Sequence, residues 1–287
     1  MSFSFYLPAA APPRFSQLVD ALAEPDWVCE GPEDDRFTND FFVHPYLAGR
    51  AARGVELGLS DGTLQIRIMT CSSRADHELA LRLVDTLAKM LESTIRPEDG
   101  DPISREQFSA QYGESWVEHM LASGPGVVLA MARKGQTLTL MGAKRAFYVG
   151  PRLVAELTKQ GDAGFGERLL NAMVRLQSID EEEYYTASVL VVKPKEWEAD
   201  EDGVKLAVWA PNVAYLFPDV EYFAVLLPDG GHLIVPRSAG ASIADDRWTF
   251  LDEKNALVEA TAAPEWPALI ARARPFVTEL QRTARRS

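Results

Sequence analysis

The sequence predicts an α+β fold, in which antiparallel sheets built from hairpins carry helices packed on one side. Two observations lead to this prediction. Alternating apolar runs are joined by tight-turn signals, and amphipathic helical stretches separate them without the regular strand–helix alternation of a parallel sheet. With 287 residues, of which 47% are hydrophobic and 25% charged, the chain can bury one large core or two closely packed ones.

Residues 1–180 are predicted to form an α+β domain. Its first elements are predicted in the order strand 3–7, helix 13–23, strand 27–29 and an apolar stretch at 41–43. The clearest local signal is a hairpin over residues 55–69, where two alternating runs flank Asp61-Gly62. Ser72 or Ser73 then caps a long helix that ends before Pro97.

A second hairpin is predicted later in this domain. Ser104 and Gln107 match a capping box for a short helix, and the helix after it is expected to stop at residues 124–126, Gly-Pro-Gly. The apolar runs beyond this point flank Lys134-Gly135 and predict a hairpin over residues 127–141. Further helices are expected after Gly150-Pro151 and over residues 166–177.

Residues 184–287 are predicted to form a β-rich domain closed by a C-terminal helix. Its strands are predicted at residues 188–192, 204–209, 222–226 and 232–235. The helix begins near Pro264 and is interrupted or kinked at Pro275. Whether the chain forms two closely packed subdomains or a single domain stays open at this point.

The net charge restricts the partners. The sequence carries 42 acidic and 29 basic residues, a formal net charge of −13, so nucleic acid and anionic membranes are not expected to bind it. A basic protein surface is attracted instead. The only cysteines are Cys29 and Cys71, and the N-terminus lacks a signal-peptide pattern, so we expect a cytoplasmic protein.

The densest chemical cluster is Cys71-Ser72-Ser73 followed by Asp76-His77-Glu78. A zinc-protease helix would need a second His where Leu81 stands, and no calcium or phosphate motif is complete elsewhere, so neither a metal nor a cofactor is expected. We favour a structural role, because acids in the first turn suit the helix dipole. The alternative is an enzyme with a dispersed site, in which His77 and Glu78 transfer protons and Cys71 is the nucleophile.

A second candidate site lies in an acidic segment with one aromatic residue. Its members are Glu196, Trp197, Glu198, Asp200, Glu201 and Asp202. An aromatic anchor surrounded by acids is typical of a contact with a basic protein surface. The alternative is a charged loop whose Trp197 folds back onto the core.

We therefore favour a non-catalytic, acidic, cytoplasmic protein-binding protein that covers a basic surface. In charge, size class and lack of a catalytic motif the chain is similar to acidic bacterial immunity proteins that neutralise toxins, a likeness of composition that rests on no specific residue. The dispersed-site enzyme and a homo-oligomeric structural or regulatory module are the two alternatives.

Overall fold

The computed structural model describes residues 2–193 and 203–278. The chain divides into two compact units, unit 1 with residues 1–178 and unit 2 with residues 179–287. Helices and largely antiparallel sheets are mixed along the chain, which confirms the predicted α+β class. In the described ranges, no helix combines the length and the apolar character needed to cross a membrane.

Unit 1 is built around an antiparallel sheet. Its strands are β1 (Ser2–Pro8), β2 (Trp27–Val28), β3 (Phe41–Val43), β4 (Tyr46–Leu47), β5 (Val55–Ser60), β6 (Thr63–Met69), β7 (Arg96–Pro97), β8 (Leu138–Met141) and β9 (Ala146–Val149). Its helices are α1 (Phe15–Leu22), α2 (Arg74–Leu91), α3 (Arg105–Gln111), α4 (Glu114–Ala132), α5 (Pro151–Leu157) and α6 (Phe165–Gln177). The main sheet has the order β3-β5-β6-β1-β7, and β2–β4 and β8–β9 form separate pairs.

The predicted hairpin over residues 55–69 is confirmed as β5 and β6. Ser60 pairs with Thr63, and both turn residues, Asp61 and Gly62, have positive φ angles, as a tight hairpin turn requires. Alternation along the strands buries Leu57 and Ile66 completely. The apolar stripe of α2 packs on this sheet, so the hairpin and the helix share one core.

The predicted hairpin over residues 127–141 is wrong. Residues 127–132 continue α4, and the hairpin of this region is formed by β8 and β9, with Leu138 opposite Val149. A short apolar run fits a buried helix as well as a buried strand. Pro125 removes one helical hydrogen bond. Packing offsets this loss, because Pro125 is buried next to Gly166 of α6, and Gly124 packs against Thr70 and Cys71.

Unit 2 contains two mixed sheets. Its strands are β10 (Tyr185–Thr186), β11 (Leu190–Val192), β12 (Val204–Trp209), β13 (Tyr215–Phe217), β14 (Tyr222–Leu226), β15 (His232–Pro236), β16 (Trp248–Phe250) and β17 (Ala256–Val258). Its helices are α7 (Gly240–Ala244) and α8 (Trp266–Ala273). The sheet orders are β11-β12-β14-β15 and β10-β13-β17-β16, with parallel pairing between β12 and β14 and between β10 and β13.

The core of unit 2 is rich in aromatic rings. Phe217 and Phe223 lie 4.6 Å apart between ring centroids, and Trp209 contacts both. The predicted closing helix is present as α8, which packs into this core through Trp266 and Leu269. The chain then tightens into a 3-10 turn at Arg274–Phe276, which contains Pro275.

Candidate functional site

The candidate catalytic cluster lies where β6 passes into α2. Ser73 is the N-cap of α2, and its side chain accepts the backbone N–H of Asp76 at 3.2 Å. The carboxylate of Asp76 accepts four backbone N–H groups in return. These are the N–H groups of Ala52 at 3.0 Å, Arg53 at 2.9 Å, Gly54 at 2.9 Å and Ser73 at 2.7 Å. The cap therefore also fixes the loop that leads into β5.

Burial dominates the electrostatics of this cap. Desolvation raises the pKa of the Asp76 carboxyl, while the backbone donors of Arg53, Ser73 and Ala52 act in the opposite direction by stabilising the carboxylate. The neighbouring Arg53 is also buried, and it donates to the carbonyls of Met141 and Thr70, each at 2.7 Å. Asp76 and Arg53 thus serve as structural connectors between β5, β6, α2 and β8.

His77 is held in one tautomer. Its Nδ1 lies 2.8 Å from the carbonyl oxygen of Ser73, and because a carbonyl only accepts, Nδ1 carries the proton and Nε2 is an acceptor. Burial lowers the pKa of His77, so the ring is neutral at neutral pH. The ring of Trp116 packs edge-on against it, with 5.9 Å between the ring centroids.

His77 lines a cavity of about 360 Å³ in unit 1. The lining comes from β1, the end of β6, the start of α2, the loop after β7, and α4. It consists of Ser2, Phe3, Met69, Thr70, Cys71, His77, Asp99, Trp116, His119, Met120, Ser123 and Gly124. Met69, Cys71, His77 and Gly124 are buried, the apolar side chains of Phe3, Trp116 and Met120 are partly buried, and the exposed residues Asp99, His119 and Ser123 mark the mouth.

The structure brings together only part of the predicted catalytic set. Cys71 and His77 line the same cavity, but Glu78 is exposed and is not part of the lining. Burial raises the pKa of the Cys71 thiol to about 12, so it is protonated at neutral pH and is a weak nucleophile. Its backbone has a φ angle of 62°, a left-handed conformation that is uncommon for a residue other than glycine.

Sequence reasoning missed most of the cavity wall, because Phe3, Met69, Trp116 and Met120 are distant in the chain. One signal points to it in retrospect. Phe108, Tyr112 and Trp116 recur every four residues, and their rings form a cluster with Phe3 and Phe5 of β1. The remaining histidines lie elsewhere in the chain, His44 between β3 and β4 and His232 on β15.

The glycine-rich stretch of residues 161–166 lies between α5 and α6 and includes the first two residues of α6. Arg168 donates to the carbonyls of Leu157 at 2.6 Å, Gly161 at 2.8 Å and Ala163 at 3.0 Å. Here the loop presents carbonyls to a cation, the reverse of a phosphate cradle, in which N–H groups surround an anion. Within the described ranges there is also no group of three or more His, Cys, Asp or Glu side chains arranged to hold a metal ion.

The predicted partner-binding residues lie outside the described part of the chain. They are Glu196, Trp197, Glu198, Asp200, Glu201 and Asp202. The strand before them, β11, lies at the edge of its sheet and pairs with β12. All three of its side chains are exposed, Leu190 by 46%, Val191 by 65% and Val192 by 41%.

A family model with the description "Domain of unknown function (DUF4299)" matches residues 32–198. This range is more than half of the chain and contains most of the cavity lining. No curated protein and no solved structure matches the chain.

Proposed function

The chain belongs to the DUF4299 family, a domain of unknown function, and we propose that it is a non-catalytic protein-binding protein that covers a basic surface on a partner. One observation carries the proposal. The acidic segment of residues 196–202 follows the exposed apolar edge strand β11 after the three residues Lys193-Pro194-Lys195. Apolar side chains next to acids suit a partner surface that is basic and partly apolar.

The apolar side chains of β11 are unusual for a strand. In a sheet with one buried face, every second side chain is buried, but Leu190, Val191 and Val192 are all exposed. Exposed edge strands are also places where another chain can pair, and natural proteins usually protect them. Among the described residues, no strand pairs with the free edge of β11.

The charges in the sequence on either side of β10 and β11 suit the same kind of partner. Glu181, Glu182 and Glu183 are exposed and precede β10, and five further acids follow β11 between residues 196 and 202. Opposite charges across an interface mainly accelerate association and select the partner, and their effect weakens as salt screens them. Binding to the proposed partner is therefore expected to weaken steeply with ionic strength.

The positions of the residues predicted for catalysis favour protein binding over catalysis as the main activity of this protein. Asp76 is engaged by four backbone N–H groups, the Cys71 thiol is protonated, and Glu78 does not share the cavity with His77. A site that runs general acid–base chemistry needs its titratable groups within reach of one substrate. The predicted groups do not meet this requirement together.

We place this activity in the bacterial cytoplasm, with an immunity or inhibitor protein as the specific role. Cys29 and Cys71 are free thiols, as proteins of a reducing compartment keep them. An inhibitor of this kind acts by covering a basic active site or contact surface, which needs no chemistry of its own. A second copy of the chain could also pair along β11, and this homo-oligomer is the competing function.

The test is capture of a partner by the full-length chain, followed by affinity measurements on the purified pair. We expect one basic protein whose affinity falls steeply with salt. Replacing Glu196, Glu198 and Glu201 by Gln should weaken binding at least about tenfold. The matched control replaces Glu33, Glu92 and Glu98 by Gln, which removes the same charge from exposed positions in unit 1.

The control variant distinguishes the effect of the acidic segment on binding from the effect of the total charge of the protein. If both variants weaken binding equally, the acidic segment has no special role. An affinity for the partner that does not change with salt concentration would contradict the proposal. The mass of the free protein in solution decides the competing function, because a stable dimer or larger assembly would assign β11 to self-association.

A further inference from the structure

We propose that the cavity lined by His77 and Trp116 is a binding site for a small heteroaromatic cation, with a planar ring that donates an N–H group inside and an ammonium group at the mouth. This site belongs to unit 1 and is independent of the partner surface proposed for unit 2. Its size of about 360 Å³ falls in the range of small-molecule pockets.

The inner walls select a flat apolar ring. Phe3 and Trp116 line the cavity, and their rings pack edge-on with 5.4 Å between centroids. Trp116 also contacts Tyr112 at 5.4 Å and His77 at 5.9 Å, so its position is fixed from several sides. Rigid aromatic walls reduce the entropy lost on binding, and the flexible thioethers of Met69 and Met120 can adapt to the edges of a ring.

His77 supplies a polar contact at the inner end. Its Nδ1–H is used by the Ser73 carbonyl, so Nε2 is the remaining polar atom of the ring and can only accept while the ring is neutral. Among the described residues, Nε2 is not one of the fully buried side-chain atoms without a partner, so it is open to the solvent of the cavity that His77 lines. A ligand N–H group would satisfy this acceptor, whereas a second acceptor there would be rejected.

The mouth selects positive charge. Asp99 lines the cavity and is exposed, and Glu98 and Asp101 lie on the same loop. A carboxylate at the rim of a pocket with apolar walls favours a ligand whose outer end is cationic. Cys71 adds an independent sign of a site, since its left-handed backbone lies in the cavity lining and strained backbone of this kind clusters at binding sites.

Tryptamine is a suitable probe because it combines an indole N–H group with an ammonium group. The experiment measures the affinities of tryptamine, 1-methyltryptamine and 3-indolepropionate for the full chain by calorimetry and ligand-observed NMR at about pH 8, where an ordinary imidazole is neutral. Any tag is placed at the C-terminus, because Ser2 and Phe3 line the cavity. We expect submillimolar binding of tryptamine.

The two analogues test the two selected features separately. In 1-methyltryptamine a methyl group replaces the hydrogen of the indole N–H, so the ring cannot donate there, and this probe should bind about tenfold more weakly, the effect of one lost hydrogen bond. 3-Indolepropionate reverses the charge of the outer end and should bind more weakly than tryptamine. Equal affinities of tryptamine and 1-methyltryptamine, or no binding of tryptamine at millimolar concentration, would overturn the proposal.

Two exposed Asp residues give a matched pair of variants. Asp99→Asn should weaken tryptamine about threefold to fivefold and leave indole unchanged, because an exposed charge pair contributes little more than this. Asp101→Asn removes the same charge from a residue of the same loop that does not line the cavity, and it should have a smaller effect. If both substitutions weaken tryptamine binding equally, only the total charge of the loop matters, and this result would contradict the role of Asp99 at the mouth of the cavity.

His77→Phe tests the inner end. This variant keeps a flat ring but removes the acceptor, so it should abolish the difference between tryptamine and 1-methyltryptamine. A difference that persists in a folded variant would overturn the role of His77. If the variant does not fold, the comparison of the two probes on the unmodified chain and the two Asp variants still decide the proposal.

Discussion

The carboxylate of Asp76 accepts the backbone N–H of Gly54 at 2.9 Å, so the first turn of α2 holds the entry to the β5–β6 hairpin. The two residues are 22 positions apart in the chain. The same carboxylate completes the helix cap with Ser73. One side chain thus joins α2 to the β5–β6 hairpin, and two residues of the same chain segment, Cys71 and His77, line the cavity.

Asp76→Ala is expected to lower the free energy of unfolding by about 3–5 kcal/mol, because it leaves several buried N–H groups without an acceptor. Urea denaturation of the full chain measures this change. Glu78→Ala is the control, since this exposed neighbour should alter stability by less than about 0.5 kcal/mol. A loss for Asp76→Ala no larger than that of the control would mean that the loop holds its shape without the carboxylate.

Gly54→Ala is expected to destabilise unit 1 through both strain and steric overlap. Gly54 has a φ angle of 70°, and a Cβ there would lie 2.9 Å from His44 Nε2 and from the Pro45 carbonyl oxygen. Gly49 has a φ angle of 71° with open space around its missing Cβ. Gly49→Ala should therefore show the strain alone, about 1 kcal/mol, and Gly54→Ala a clearly larger loss in the same denaturation experiment.

Local signals were sufficient for some elements. The 55–69 hairpin follows from two alternating runs around Asp61-Gly62, since the turn chemistry and the pattern are both contained in the segment. For the cap of α2 the sequence offers two candidates, Ser72 and Ser73, and the structure shows that it is Ser73. Strands β13 and β17 were not predicted. They pair with each other and with β10 and β16, and runs of three residues carry too little periodicity to indicate a strand.

Tertiary packing decided the rest. Pro125 lies inside α4 because α6 approaches it at Gly166, a contact that the segment itself does not encode. The cavity likewise depends on β1 meeting α4, whose residues Phe3 and Trp116 are far apart in the sequence. The residue types indicate the cluster around His77. They do not indicate the other residues of the cavity lining, because these come from distant parts of the chain that meet only in the folded structure.

Stability is expected to fall as the pH drops below the ordinary His pKa of 6.5, because the pKa of buried His77 is lowered and the unfolded chain binds more protons in this range. The contribution of His77 to the free energy of unfolding is fully present above pH 6.5 and is lost as the pH falls toward the lowered pKa of His77 in the folded chain. Asp76, whose pKa is raised, contributes with the opposite sign, and Arg74 and Glu78 also act on His77.

A comparison of variants isolates the His77 contribution. The difference in unfolding free energy between the unmodified chain and His77→Gln should shrink or change sign as the pH is lowered from about 8 to about 5.5, because only one of the two chains titrates at this position. Urea denaturation at several pH values measures it. A constant difference would show that His77 titrates at its ordinary pKa.

Val191→Ser is expected to weaken partner binding by about fivefold or more without changing stability. Val191 is 65% exposed at the centre of β11, so the folded unit gains little from it, whereas a contact surface loses an apolar side chain. Affinity for the captured partner measures the first effect and urea denaturation the second. If β11 binds a second copy instead, the same variant should shift the mass in solution toward the monomer.

Phe42→Ser is the matched control for this strand. Phe42 is 60% exposed on β3 in unit 1, so its replacement removes an exposed apolar side chain of similar accessibility from a different surface. It should leave both partner affinity and mass in solution unchanged. Equal losses for Val191→Ser and Phe42→Ser would indicate nonspecific apolar contact, and the edge strand would then have no particular role, whereas a loss confined to Val191→Ser assigns the contact to β11.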